Sequence, residues 1–227
     1  MKPSKFKLIE AARGFSLVEL MVAMAIGLIL LLALSYFFLG SRQSSLVHDD
    51  SSRMQENARN ALDLMGRSIR QAGYTDRFDR TQKTVFVVMS GVDNGATVPD
   101  AITVRYEGQV GGESDCAGTA RAEGGLVTFA FAVNGSLQLT CDNGSGAPVV
   151  IADNVENMQI TYGLDTLRNG KVALPYIDQP SATQFPQVAV VKVVLTMRGA
   201  NANAATGGDG YVRQTYSASY TVRNQAG

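Results

Sequence analysis

Imidazole is almost missing from this chain: its 227 residues include one histidine, His48. A hydroxyl or thiol nucleophile needs a neighbouring base, and histidine is the usual one. His48 stands alone beside a long apolar segment and reads as a surface residue of a helix. The phosphate-binding loop, the HExxH zinc helix, the nucleophile elbow and the CxxC pair are missing as well. No excess of one charge sign exists either, because 20 basic and 20 acidic side chains cancel. Beyond residue 14 no basic stripe appears, so nucleic acid is not an expected partner. The expectation is a protein without enzymatic activity, cofactor or metal.

Cysteine is scarce too. Cys116 and Cys141 are the only two, and both follow the apolar segment in glycine-rich, turn-rich sequence. Outside the cytoplasm they are expected to pair as a disulfide. Closing such a loop of about 25 residues contributes about 3 kcal/mol in the chain-entropy model. In a reducing compartment they would be two unrelated buried thiols. The turns VDNGA (92–96), CDNGS (141–145) and GGDGY (207–211) carry carboxylates and amides that could meet calcium. None has the spaced ligand pattern of an EF-hand loop, and Asn-Gly is first a turn signal.

What the chain does have is an apolar run. Leu20 to Leu39 holds Ser35 as its one strongly polar residue. A 20-residue helix spans about 30 Å, the thickness of a bilayer core. Ahead of it, Lys2, Lys5, Lys7 and Arg13 stand against Glu10, a net of +3. That places the N terminus on the cytoplasmic side and the rest of the chain outside. A cleaved secretory signal would have a shorter apolar region and a small-x-small site, which SYFFLGSRQ (35–43) does not offer. A plain signal anchor fits the hydropathy but leaves Glu19, at the start of the run, without a reason. An ionised acid in the membrane is costly unless paired.

The stretch KLIEAARGFSLVELMVAMAIG (7–27) resembles the N-terminal signature of the type IV pilin family, type II secretion pseudopilins included. The matching features are a short basic leader, Gly14, then Phe15, Ser16, Leu17, Val18 and Glu19 opening a long apolar helix. The resemblance implies cleavage between Gly14 and Phe15 by a membrane-embedded prepilin peptidase, which then methylates the new amino group on Phe15. It also implies that Glu19 meets the amine of a neighbouring subunit during assembly, acting as a register mark.

Beyond Leu39 the helical pattern continues. Val47, Met54, Ala58, Ala61, Met65, Ile69 and Ala72 recur at steps of seven, four or three, which is one apolar face. Gly73 is the expected stop. Residues 48–52, HDDSS, read as solvated. From residue 84 onward, β-rich runs alternate with turns. Strands are expected over Val85–Met89, Ala101–Tyr106, Leu126–Val133, Ser136–Thr140, Val149–Ile151, Met158–Leu164, Gln187–Arg198 and Tyr211–Arg223. Met158–Tyr162 alternates as a strand with one dry face. The β-branched Val188–Leu195 reads as central in its sheet. Residues 199–210 read as a polar hairpin connection.

MGRSIRQAGY (65–74), IADNVENMQITYGLD (151–165) and YTVRN (220–224) resemble the PilW-type minor pilins, relatives of the J-type secretion pseudopilins. The central cysteine pair departs from major pilins, which place theirs near the C terminus. The expected fold is α+β and lollipop-shaped, a long N-terminal hydrophobic α-helix packed on an antiparallel β-sheet domain. The expected division is a cleaved leader at 1–14, a membrane and fibre-core helix at 15–40, its amphipathic continuation at 41–73, and a β-rich domain at 74–227. The resemblance implies a minor pilin that primes pilus assembly at or near the tip. A type II secretion minor pseudopilin and a membrane-anchored β-domain for binding or adhesion are the alternatives. The partners implied are other minor pilins, the major pilin, the prepilin peptidase, the inner-membrane assembly platform, a tip adhesin and membrane lipid. The chain would sit in the inner membrane before assembly and in the surface fibre afterwards.

Overall fold

The structure, a computed structural model, describes residues 15–75, 87–108, 113–121, 125–202 and 208–223. The chain divides into two compact units, residues 1–45 and 46–227. One helix, α1 (Leu17–Gln71), contributes to both.

In the first unit, α1 is apolar all round over a length sufficient to cross a membrane, and its large apolar side chains are exposed. This is the mark of a helix whose neighbours lie outside its own chain. Ser35 Oγ donates to the Leu31 carbonyl at 2.8 Å. The run's one strongly polar side chain is therefore satisfied inside the helix.

In the second unit α1 becomes amphipathic. Met54, Ala58, Ala61, Met65 and Ile69 are buried along one face, with Gly66 and Ser68 beside them. Small residues alternate with methionine, so the helix lies close to what it covers. It ends at Gly73, whose φ of 75° is the left-handed conformation that closes helices. The chain then joins a sheet at once. Gly73 N–H donates to the Arg105 carbonyl at 3.0 Å, and Glu107 N–H donates to the Tyr74 carbonyl at 2.8 Å.

The strands are β1 (Met89–Val92), β2 (Ala101–Glu107), β3 (Glu113–Ser114), β4 (Ala120–Arg121), β5 (Leu126–Val133), β6 (Leu139–Asp142), β7 (Val149–Ala152), β8 (Val155–Leu164), β9 (Val188–Arg198) and β10 (Arg213–Thr221). All pairings are antiparallel. Instead of one sheet they form a five-stranded sheet β1-β2-β5-β6-β7, a three-stranded sheet β10-β9-β8 and the two-stranded ribbon β3-β4. The chain passes from the first sheet to the second at Asp153-Asn154, where Asn154 takes a φ of 60°. A left-handed residue there turns β8 away from β7.

β9 is central in its sheet, as its β-branched run suggests. Val191, Val193, Leu195 and Met197 face inward with Met158, Ile160 and Tyr162 of β8. Together with Ile102, Val104, Phe129 and Phe131 of the larger sheet and the α1 stripe, they form one core. The strand ends differ where turn chemistry intervenes. β6 starts at Leu139, not Ser136, because Asn134 Oδ1 accepts the N–H groups of Ser136 and Gln138, at 2.9 and 3.0 Å. That bonding makes 134–138 a turn. β1 starts at Met89, and residues 85–86 of the expected strand lie outside the described residues, as do 203–207 of the β9–β10 connection.

One expectation fails clearly. Asp50, read with 48–52 as solvated, is 1% exposed. Its carboxylate accepts the Asn201 Nδ2–H at 2.7 Å and the Asn201 backbone N–H at 3.1 Å. The partner lies 151 residues away, beyond the reach of any local pattern. His48, by contrast, is exposed.

Candidate assembly site

The start of α1 is built by two residues. Ser16 Oγ accepts the Glu19 N–H at 3.1 Å, and the Ser16 carbonyl accepts the Leu20 N–H at 3.2 Å. Ser16 is thus the N-cap, and Ser-x-x-Glu over 16–19 has the spacing of a capping box. Glu19 occupies the first turn, where the helix dipole favours a negative charge. Phe15, one residue before the cap, is 83% exposed. Gly14 lies outside the described residues. The cap was not read from the sequence, although S-x-x-E before an apolar run is its signal.

At the other end of the apolar run, the Arg42 guanidinium lies 4.9 Å from the centre of the Phe38 ring. A cation over an aromatic ring is a natural close to a membrane-length segment.

In the second unit, Cys116 and Cys141 are joined, with an S–S distance of 2.03 Å. The bond ties the connection between β3 and β4 to β6. Beside it lies Asp115, whose side chain is wholly buried. Asp115 Oδ1 accepts the N–H groups of Ala117 and Thr119, at 2.9 and 3.0 Å, and Oδ2 accepts from Arg121 and Asn143, at 3.1 and 2.8 Å. Burial alone would raise its pKa, but these donors outweigh it and hold the carboxyl below its ordinary value. The disulfide is the pair expected from the sequence, whereas the Asp115 cluster was not legible there, because Asn143 lies 28 residues from Asp115.

Among the described residues no three His, Cys, Asp or Glu side chains come together to hold a metal ion. The turn carboxylates weighed for calcium serve their own loops. Asp93 Oδ1 accepts the Gly95 N–H at 2.7 Å. Asp142 Oδ1 accepts from Gly144 and Ser145, at 2.9 and 3.1 Å. Asp209 receives Arg213 at 2.6 Å.

The sequence itself matches two family models. The model for the prokaryotic N-terminal methylation motif covers residues 11–35, and that for type IV pilus-assembly protein W covers residues 132–225. The chain is a type IV pilin-like protein that carries an N-terminal methylation motif and a PilW-type domain. The methylation motif spans Gly14, Phe15 and Glu19, and the PilW-type region runs from the end of β5 through β10. A type IV-like pilin from Thermus thermophilus is similar in structure, with a TM-score of 0.49 and 14% identity, over 76% of this pilin and 98% of that chain. No curated protein matches the pilin in sequence. The family is one of structural subunits rather than enzymes.

Proposed function

We propose that this pilin is a minor subunit that primes type IV pilus assembly from the inner membrane, in a complex at or near the fibre tip. The observation that carries this is the first unit: an apolar helix with exposed side chains that nonetheless holds an acid, Glu19, in the first turn that Ser16 caps. The helix dipole favours that carboxylate at the first turn, but a permanent lipid anchor offers it no charged partner. A bundle of like helices does, because a neighbour's terminal amine can pair with it.

In this reading the leader 1–14 is removed after Gly14 and Phe15 is methylated. Residues 15–40 serve as membrane and then fibre-core helix, 41–73 as their amphipathic continuation, and 74–227 as the external domain. Apolar burial passes from lipid to neighbouring helices, so the hydrophobic term changes little on assembly and the Glu19 pairing sets register.

The test is the mass and N-terminal sequence of the membrane form, combined with gene deletion. Methylated Phe15 and loss of surface pili are expected. An intact Met1 overturns the processing. Intact pili with lost protein secretion point to a pseudopilin. Intact pili with lost adhesion point to a binding module. Glu19→Ala that assembles as wild type overturns the role given to Glu19.

A further inference from the structure

The last strand leaves one side of its backbone unmatched. β10 pairs with β9 in unbroken register, and it stands at the edge of its sheet. The register decides which groups point outward. Val222 N–H donates to the Ala189 carbonyl at 2.8 Å, and Gly199 N–H donates to the Val212 carbonyl at 2.7 Å. Both are directly opposed pairs in that register, and such bonded pairs alternate along an antiparallel ladder. Even-numbered residues of β10 therefore turn their N–H and C=O groups toward β9. Arg213, Thr215, Ser217, Ser219 and Thr221 turn theirs away. Among the described residues none of these outward backbone groups has a partner.

Edges of this length are ordinarily defended by lysine, proline, a bulge or a cover. Among the described residues β10 has none of these. Residues 214–221 carry no charge and no proline. Arg213, at one end, is committed to Glu156 and Asp209, each at 2.6 Å. The opposite edge of the same sheet, β8, is covered instead: Ile177 bridges to Tyr162, and Asp100 N–H donates to the Met158 carbonyl at 2.7 Å. The edges of the larger sheet, β1 and β7, are four residues each.

Beside the open edge runs a groove of about 520 Å³ between α1 and β10, lined by Gln55, Arg59, Asn60, Asp63, Tyr216 and Tyr220 among others. Asp63 pairs with Arg67 at 3.6 Å. Arg59 has no ion-pair partner among the described residues. An added strand would place every second side chain over this groove, beside a cation without a counter-charge.

We propose that the outer edge of β10 accepts an extended strand from a different pilin subunit of the same assembly, with an acidic side chain of that strand lying in the groove against Arg59. This rests on the reading of the chain as an assembly subunit. Backbone bonds supply the affinity and the groove supplies the choice of partner. A second copy is a poor occupant. Two β10 edges meeting antiparallel about a two-fold axis would bring no acid to Arg59, because residues 214–221 carry no charge.

The experiment uses the full-length chain in detergent, alone and in complex with co-expressed pilin subunits of its own fibre, followed by residue-resolved amide exchange. Alone, the amides of Gln214, Tyr216, Ala218 and Tyr220 are slow and those of Thr215, Ser217, Ser219 and Thr221 are fast. In the complex the second set becomes slow. Ser217→Pro deletes one outward N–H and leaves the β9 ladder intact, so it weakens the complex about tenfold while the unfolding midpoint is kept. Arg59→Glu, on the exposed helix surface, gives a similar loss without touching β10. A complex whose outward amides stay fast, or both variants binding as wild type, overturns the proposal and leaves the functional reading standing. Protection that appears in the chain alone as its concentration rises puts a second copy at the edge and also overturns it. If no co-expressed pilin binds the wild-type chain, both readings fall.

Discussion

Gly66 of α1 lies flat against the ring of Tyr220 on β10, with no room between them for a methyl group. The ring is pinned there, because Tyr220 Oη donates to the Leu62 carbonyl at 2.6 Å and Arg70 lies over its face at 5.7 Å. Gly66 belongs to MGRSIRQAGY and Tyr220 to YTVRN, two of the stretches that resemble PilW-type pilins. They meet at one helix–strand contact, and each explains the other's residue type.

Gly66→Ala is accordingly expected to destabilise the second unit. Overpacking costs about 1–3 kcal/mol, which outweighs the ~1 kcal/mol that alanine gains over glycine inside a helix. A lower urea midpoint, with the slope unchanged, is the expected result.

Asp50→Ala removes both anchors of Asn201. Loss of a charged, buried pair of hydrogen bonds is expected to cost about 2 kcal/mol. Faster amide exchange at Gly199–Ala202 should accompany it, since that segment holds to the helix through this carboxylate.

The disulfide closes a loop with a sequence separation of 25. Replacing both Cys116 and Cys141 by serine is expected to lower stability by about 3 kcal/mol in the chain-entropy model. Denaturation of the wild type under reducing conditions should approach the double variant.

Asp115 makes stability depend on acid. Its folded pKa lies below the ordinary value, despite burial, because Asn143, the Thr119 and Ala117 amides and Arg121 favour the anion. The unfolded chain binds this proton more readily. The contribution is therefore complete above the ordinary Asp pKa of about 3.9 and is lost as pH falls through the depressed folded value. Asp115→Asn is expected to be less stable at neutral pH. Its gap to wild type should close as pH falls below about 4, measured by denaturation across a pH series.

The periodic elements were legible beforehand. The α1 stripe from Met54 to Ile69 is buried as spaced, and β5 has the bounds its pattern suggested. A repeat of 3.6 or 2 is local, so it survives without knowledge of the fold. The ribbon β3-β4 was not legible, because two-residue strands carry no period. Asp50, Asp115 and Gly66 were missed for a different reason. Each owes its burial or its residue type to a partner far along the chain, and a polar or small residue in sequence says nothing of that partner. At the N terminus Phe15 and Glu19 were singled out through resemblance, whereas the capping role of Ser16, which sets the helix start, was passed over.

Ser16 and Glu19 lie downstream of Phe15, so a cut anywhere upstream leaves both halves of the cap in the retained chain. The bonds that cap the helix are made within residues 16–20. Removing residues 1–14 would change the charge at the end of α1 without moving the phase of its apolar surface. The same side chains would face the neighbours before and after. In the proposed processing, the cut would act as a permit for assembly on a helix start that Ser16 has already fixed.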